Sequence, residues 1–395
     1  MWVSRQSICT NVFDYISIRQ ELGVARLVDG VRERHLAHHL PNAMIEKELS
    51  FGQVDKIFAA QWLDEYNIIC GTKCNKLLVQ NIETRKAWNI PLLAGSKTGV
   101  NNNESEKDCG IHCIAINENS TKLATGAQSA NSIGFYELPS LQPICVGEFH
   151  TNWLFCSAWI SDDVLVSGSR DKRLAFWQVT PEKSFDIILP PLPRIKPVQT
   201  IEKYENNDRV RAMVYNPLSQ NLATVVSNGF VHLWDVNNCA QITSTALPFL
   251  KENVCIAYDP NNHLYAVGSV SHVALLDAQS GKTIGSVCSS DQGAGVRSIS
   301  FQDSVITIGT GYGSLLFYDV RMNKMLKRPD DSVCQQKTGS GWLRKDSVYQ
   351  QYFSDTDCYP NAIYAHSYHP NSMKLLTAGG PLALGLYGNY AAYWD

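Results

Sequence analysis

A pattern of three short strands recurs seven times along this chain, and very few folds can accommodate it. One family of segments closes on an apolar or aromatic residue: FAAQW (58–62), HCIAI (112–116), FCSAW (155–159), RAMVY (211–215), VCIAY (254–258), RSISF (297–301) and YAHSY (364–368). Their first residues lie 54, 43, 56, 43, 43 and 67 positions apart. A base period of 43 with insertions is the length of one four-stranded propeller blade. Each member is followed by a second apolar strand ending near glycine: IICGTKC, LATGAQS, LVSGSRD, ATVVSNG, YAVGSVS, ITIGTGY and LLTAGGP. An aromatic third strand follows, closing on FYEL, FWQV, LWDV, LLDA, FYDV or AYWD. Period-2 strands rich in Val, Ile, Phe, Tyr and Trp with turn residues between them form antiparallel sheets. The expected fold is therefore all-β, a seven-bladed WD-repeat β-propeller over residues 43–395.

The sequence reaches YWD, the third strand of blade seven, without an outer strand for that blade. IEKELSF (45–51) alternates polar and apolar residues and is expected to supply it, closing the ring and removing a free sheet edge. Residues 1–42 do not fit the repeat. SICTNVFDYISIRQELG and ARLVDGVRERHLAHHL carry apolar residues at helical spacing, with Pro41 ending the second, and predict a short N-terminal helix–turn–helix. Such a pair either folds back onto the ring or serves as a docking element. Insertions are expected at 95–108, 181–206 and 326–356, the first polar and disordered.

With 395 residues, the chain is too long for one ordinary core, which a repeat architecture resolves. The net charge of −3 does not predict binding to nucleic acid or to a membrane surface. No apolar run reaches ~18 residues, so no helical membrane span is expected. The N-terminus shows no secretory signal. A reducing compartment is expected, with the twelve cysteines mostly free thiols; Cys145, Cys156 and Cys255 fall inside apolar strands as small hydrophobes.

Against this acidic balance, basic residues recur at one blade position. The first residue of the inner strand meets one face beside the central channel, and the seven blades place Phe58, His112, Phe155, Arg211, Val254, Arg297 and Tyr364 there. The turn between second and third strands opens on the same face, with Lys73, Gln128, Arg170, Asn228, Val270, Gly311 and Gly380 at matched positions. Lys56 and Arg209 lie just before their inner strands. Seven side chains, Lys56, Lys73, His112, Arg170, Arg209, Arg211 and Arg297, thus converge on one channel mouth. Each taken alone could be a salt bridge or part of a buried Asp–His–Ser–Trp relay. Together they repel one another unless an anion or an acidic partner intervenes, and Asp171 is the clearest acidic candidate. The mouth is expected to bind anions, with arginine forks suited to carboxylates or phosphates.

CGTKC (70–74) and CGIHC (109–113) are weak zinc motifs, since the strands account for their thiols; no metal or other cofactor is expected. The sequence contains no nucleophile elbow, phosphate-binding glycine loop or HExxH, so an enzyme is not expected. YDVR (318–321) ends the third strand of blade six, and places Asp319 and Arg321 on the face opposite the mouth; blade four has WDVN instead.

WD-x-R-type endings on a propeller with an N-terminal helix pair resemble the WD-repeat substrate receptors of cullin-4 RING ubiquitin ligases. The likeness extends to blocks such as VDKIFAAQWL, CGIHCIAIN, LPFLKENVCIAY, ITIGTGYGSLLFYDVR and AGGPLALGLYGNYAAYW, and covers about residue 7 to the end. The resemblance implies a non-catalytic receptor subunit. Its partners would be the damaged-DNA-binding adaptor, met through residues 1–42 with Asp319 and Arg321, and cullin-4 and the RING subunit beyond it. Its ligands would be proteins ending in two glutamates, held by Lys56, Lys73, His112, Arg170, Arg209, Arg211 and Arg297. Arg209 stands where the resembled receptors have lysine. The implied location is cytoplasmic, nuclear and centrosomal, though those receptors carry a longer basic N-terminal extension and this sequence starts almost at the helices, which puts nuclear import in doubt. A reading from another class is a scaffold propeller binding phosphopeptides or other anions at the same mouth.

Overall fold

Seven antiparallel sheets close into a ring in the computed structural model, which describes residues 37–95, 110–180, 192–202, 209–291, 293–354, 359–372, 374–383 and 385–395. The repeat read from sequence is the blade. In blade four, for example, Val210–Asn216, Asn221–Val226, Phe230–Asp235 and Ala240–Ala246 pair in order from the inner strand outward. Period-2 alternation buries the inner faces of neighbouring blades against each other. Trp177 of blade three and Trp234 of blade four end their third strands fully buried between blades.

The expected closing strand is present. Glu46–Glu48 pairs antiparallel with Gly388–Trp394 as the outer strand of blade seven, with Glu46 opposite Trp394 and Glu48 opposite Ala392. Lys47 Nζ reaches Asp395 Oδ2 at 2.7 Å. The preceding residues 37–43 are helical and continue two residues past Pro41. Ala37, Leu40 and Met44 are buried with Val305, Phe317, Leu375 and Trp394 at the seam of blades six and seven. This end of the predicted helical pair is thus folded back on the ring. The rest of the pair, with the remainder of the 1–42 segment, lies outside the described residues.

Two insertions do more than connect. Part of 181–206 provides Gln199–Ile201, the outer strand of blade three, and Arg194–Ile195, which runs parallel to Pro143–Glu148 on the edge of blade two. Part of 326–356 adds Gln335–Lys337 to blade six and Trp342–Leu343 to the last strand of blade seven, then forms the helix Ser347–Tyr352. Both insertions cover sheet edges that would otherwise be open. Most of the 95–108 insertion lies outside the described residues.

Asp171 does not neutralise the mouth. Its Oδ2 lies 2.9 Å from His150 Nδ1; His150 Nε2 lies 2.8 Å from Ser167 Oγ, which accepts Trp177 Nε1–H at 2.8 Å. Burial by itself would raise the Asp171 pKa. Hydrogen bonds from His150 and from the Thr151 and Arg173 amides outweigh it, so the pKa is lowered. A carboxylate with a depressed folded pKa contributes stability above the ordinary carboxylate range and loses that contribution as pH falls through the folded value. Asp171→Asn should therefore lower stability at neutral pH by the roughly 1–3 kcal/mol that follows leaving a buried group unsatisfied, and the melting temperature with it. Melting both proteins across pH should show the gap narrowing only below about pH 4. A second expectation concerns closure. Deleting residues 1–50 removes the closing strand and the buried Leu40, Met44 and Leu49, each side chain contributing roughly 1.5–3 kcal/mol. Thermal melting should drop by about 10 °C or more, or the opened ring should aggregate.

Candidate functional site: a collared cationic mouth

The residue at the first inner-strand position is pushed out of the ladder. In blades one, three, four, six and seven the register between inner and second strands slips there, skipping Phe58, Phe155, Arg211, Arg297 and Tyr364. A β-bulge leaves one residue unpaired and re-aims its side chain. Repeated at the same point around a ring, it turns five side chains toward one another at the channel mouth.

These side chains touch in blade order. The Tyr364 and Phe58 rings meet edge to face at 5.3 Å, Phe58 stacks on His112 at 4.6 Å, and His112 meets Phe155 edge to face at 5.1 Å. The Arg211 guanidinium then lies over Phe155, 4.4 Å from the ring centroid. Beside it Arg170 lies over Trp153 at 4.9 Å, and Trp153 meets Phe155 at 6.4 Å. The collar is aromatic on the side of blades seven, one, two and three, and cationic beyond. Stacking on an aromatic face is worth roughly 0.5–2 kcal/mol and leaves the N–H edge of a guanidinium available.

Backbone bonds hold the turn positions beside the collar. The amides of Lys73, Arg170, Ser227 and Gly311 donate to the carbonyls of Lys56, Trp153, Arg209 and Gly295, at 2.7, 2.8, 3.0 and 2.9 Å. In blade four the matched turn residue is therefore Ser227, one position before the expected Asn228. Val225 pairs with Ala212 just past the bulge, and this sets the register.

No carboxylate among the described residues lies within 4.0 Å of Arg170, Arg209 or Arg211. Burial lowers the Arg211 pKa, Cys156 acts against it, and the charges of Arg209, Arg170 and Arg297 push the same way as burial. Arg211 thus lies in the field of three other arginines. Arg297 is paired: its Nη2 donates to Glu252 Oε2 at 2.8 Å.

Lys56 is not open at the mouth. Its side chain is 2 % exposed, donates to the Leu386 carbonyl and lies 3.5 Å from Asp55 Oδ1. Burial lowers its pKa, with Lys73 acting in the same direction and Asp55 against it. Asp55 also takes Lys73 Nζ at 3.1 Å and the Lys56 amide at 2.9 Å. Lys73 remains part-exposed. The aromatic members, Asp55 and Glu252 were missed as site residues by sequence reasoning; recurrence at the bulge position was the signal for the first, and adjacency in VDK for Asp55.

On blade six, Asp319 is fully buried. Its Oδ1 accepts the Arg321 and Met322 amides at 2.8 and 3.0 Å, and its Oδ2 lies 3.6 Å from His38 Nε2. Arg321 is exposed, with Nη2 3.2 Å from the same His38 nitrogen.

Fold and mouth together define a WD-repeat propeller with an aromatic and cationic collar at its mouth. Residues 40–395 match the family described as "DDB1- and CUL4-associated factor 12 beta propeller", and the chain belongs to that family. It is also 23 % identical over 226 residues to a guanine nucleotide-binding protein subunit beta-like protein of Encephalitozoon cuniculi, covering 53 % of this chain and 66 % of that one. It is 24 % identical over 232 residues to Protein NEDD1 of Homo sapiens, covering 57 % of this chain and 32 % of that one. The aligned parts thus span less than two-thirds of one relative and about a third of the other.

Proposed function

We propose that this chain is the substrate-recognition subunit of a cullin-4 RING ubiquitin ligase and that its mouth holds the acidic C-terminus of the proteins it recruits. The observation that carries the reading is the pair of guanidinium side chains, Arg170 and Arg211, stacked on the aromatic collar with the Arg209 charge acting on Arg211, none of the three with a carboxylate partner among the described residues. A tail ending in Glu-Glu brings three carboxylates within one dipeptide, which matches the clustered charge. Arg297 and Lys73 extend the cationic surface on either side, His112 lines the collar, and Lys56 supports Lys73 from beneath through Asp55. Ubiquitin transfer belongs in this reading to the RING subunit and its E2. The family description supports association with the adaptor and cullin. Docking is assigned to residues 1–42 and Arg321, with buried Asp319 holding the Arg321 turn.

Titration of a Glu-Glu peptide and its C-terminal amide against the full chain tests the mouth. Arg211→Ala should lower affinity tenfold or more, since removing one partner of a partly desolvated charge pair costs roughly 2–5 kcal/mol. Amidation, or changing the last Glu to Gln, should cost a comparable amount. Added salt should weaken binding, and Lys56→Met should move the melting temperature more than the affinity. Equal affinities across that set remove the mouth from the account, and equal binding of a phosphoserine peptide favours a general anion receptor. For docking, Arg321→Glu should reduce co-purification of the adaptor and cullin-4 with melting unchanged, whereas Asp319→Ala should lower melting as well. Full recovery of both partners with Arg321→Glu removes that contact.

A further inference from the structure

Arg297 differs from its neighbours in already holding a carboxylate. Glu252 comes from the segment between the outer strand of blade four and the inner strand of blade five, and its Oε2 sits 2.8 Å from Arg297 Nη2. The contact is made by one nitrogen of the fork. Arg297 Nε is buried and finds no hydrogen-bond partner among the described residues. A bidentate carboxylate would use both nitrogens, so Glu252 occupies the fork without filling it.

The backbone is shaped to deliver this pair. Glu252 lies at φ +58, in the left-handed region that non-glycine residues seldom occupy and that persists only where the surroundings hold it. Gly295, at φ +76, lies directly beneath. A Cβ there would come within 2.9 Å of Glu252 Oε2 and 3.1 Å of Arg297 Cζ. Glycine at this point leaves the space that the pair fills.

The mouth has a second internal carboxylate, and the contrast decides which can give way. Asp55 is 6 % exposed at its side chain and accepts from the Lys56 amide, the Gly388 amide and Lys73. Moving it would strand several buried donors. The Glu252 side chain is 47 % exposed and has one partner among the described residues, so it can swing into solvent at little cost. The Arg297 charge also reaches Arg211, which places this fork in the same cationic field as the three arginines that have no carboxylate partner among the described residues.

We propose that Glu252 is an internal competitor for Arg297, a carboxylate of the chain standing where a carboxylate of the bound tail comes to lie. It sets how tightly the mouth holds an acidic end: a tail displaces Glu252, takes the fork with both nitrogens, and yields it again on leaving. This rests on the reading of the mouth as an acidic-tail receptor and names one affinity-setting residue in it. Glu252 touches no reacting group and acts only through Arg297.

The test is titration of the full chain with a Glu-Glu peptide, its C-terminal amide and its form with Gln at the last position. The proteins are wild type, Glu252→Gln, Arg297→Gln and the double variant. Glu252→Gln should bind the Glu-Glu peptide about three- to tenfold more tightly, as expected for losing a half-exposed ion pair together with a like charge facing the ligand. The gain should shrink with at least one neutralised peptide, which identifies the carboxylate that takes the fork. In the Arg297→Gln background it should fall below about twofold, because the coupling of the two residues is the effect claimed. A merely structural Glu252 would instead lower melting and affinity together, irrespective of Arg297. Unchanged or weaker Glu-Glu binding by Glu252→Gln, with wild type still preferring the free acid to its amide, overturns the competitor and leaves the mouth standing. Loss of that preference in wild type overturns both.

Discussion

Everything at the mouth depends on one short antiparallel pairing, Glu46–Glu48 against Gly388–Trp394. A propeller blade carries no site by itself. Five of the inner strands each offer one bulged side chain, and these become neighbours only when the ring is closed. Closure joins the two ends of the repeat region, so blades seven and one are locked together by strands from opposite ends of the sequence. That seam bears its own load. Lys56 of blade one reaches Leu386 of blade seven, Trp62 donates to Ser367, and Phe58 meets Tyr364 across it. The helix at 37–43 adds an apolar wedge between blades six and seven.

Within the closed ring, the mouth solves an electrostatic problem in two ways. On the blade-one side, charge is answered internally: Asp55 is buried between Lys56 and Lys73, and the whole group is embedded in hydrogen bonds. On the blade-three and blade-four side, Arg170 and Arg211 lie on the Trp153 and Phe155 rings, and the charge of exposed Arg209 acts on Arg211. Aromatic faces attract cations without neutralising them, so this half retains a net positive field and exposed N–H edges. Arg297 lies between these regimes, neutralised by a carboxylate that is itself half in solvent. Burial separates the three cases, since a desolvated carboxylate held by several donors is fixed and an exposed one is exchangeable.

Much of this was readable from residue order. The period of 43 located the blades, the missing outer strand pointed to 45–51, and the recurrence of Arg211 and Arg297 at one strand position placed both on the channel. Other features were hidden for identifiable reasons. A bulge adds a residue without changing residue type, so the sequence shows a strand start and the ladder shows a skipped position. Ser227 rather than Asn228 occupies the blade-four turn because register, not spacing to the nearest glycine, decides which residue lies opposite the inner strand. Asp171 looked free to neutralise Arg170 because its relay partner His150 lies 21 positions away. The insertion strands Gln199–Ile201 and Gln335–Lys337 are too short to show periodicity and exist only because an edge is there to pair with.

The sequence by itself determined the number of blades, the order of strands within each and the means of closing the ring, and it pointed to a set of cations near the mouth. These follow from local periodicity and from a repeat length that one sheet can satisfy. Only the tertiary structure decided which of those cations are open. Lys56 and Arg209 stand at the same point of their blades, and one is buried and donates to the Leu386 carbonyl while the other is exposed. Whether a charge is paired, stacked or covered depends on groups brought from distant parts of the chain, and those neighbours are set by packing around a closed ring.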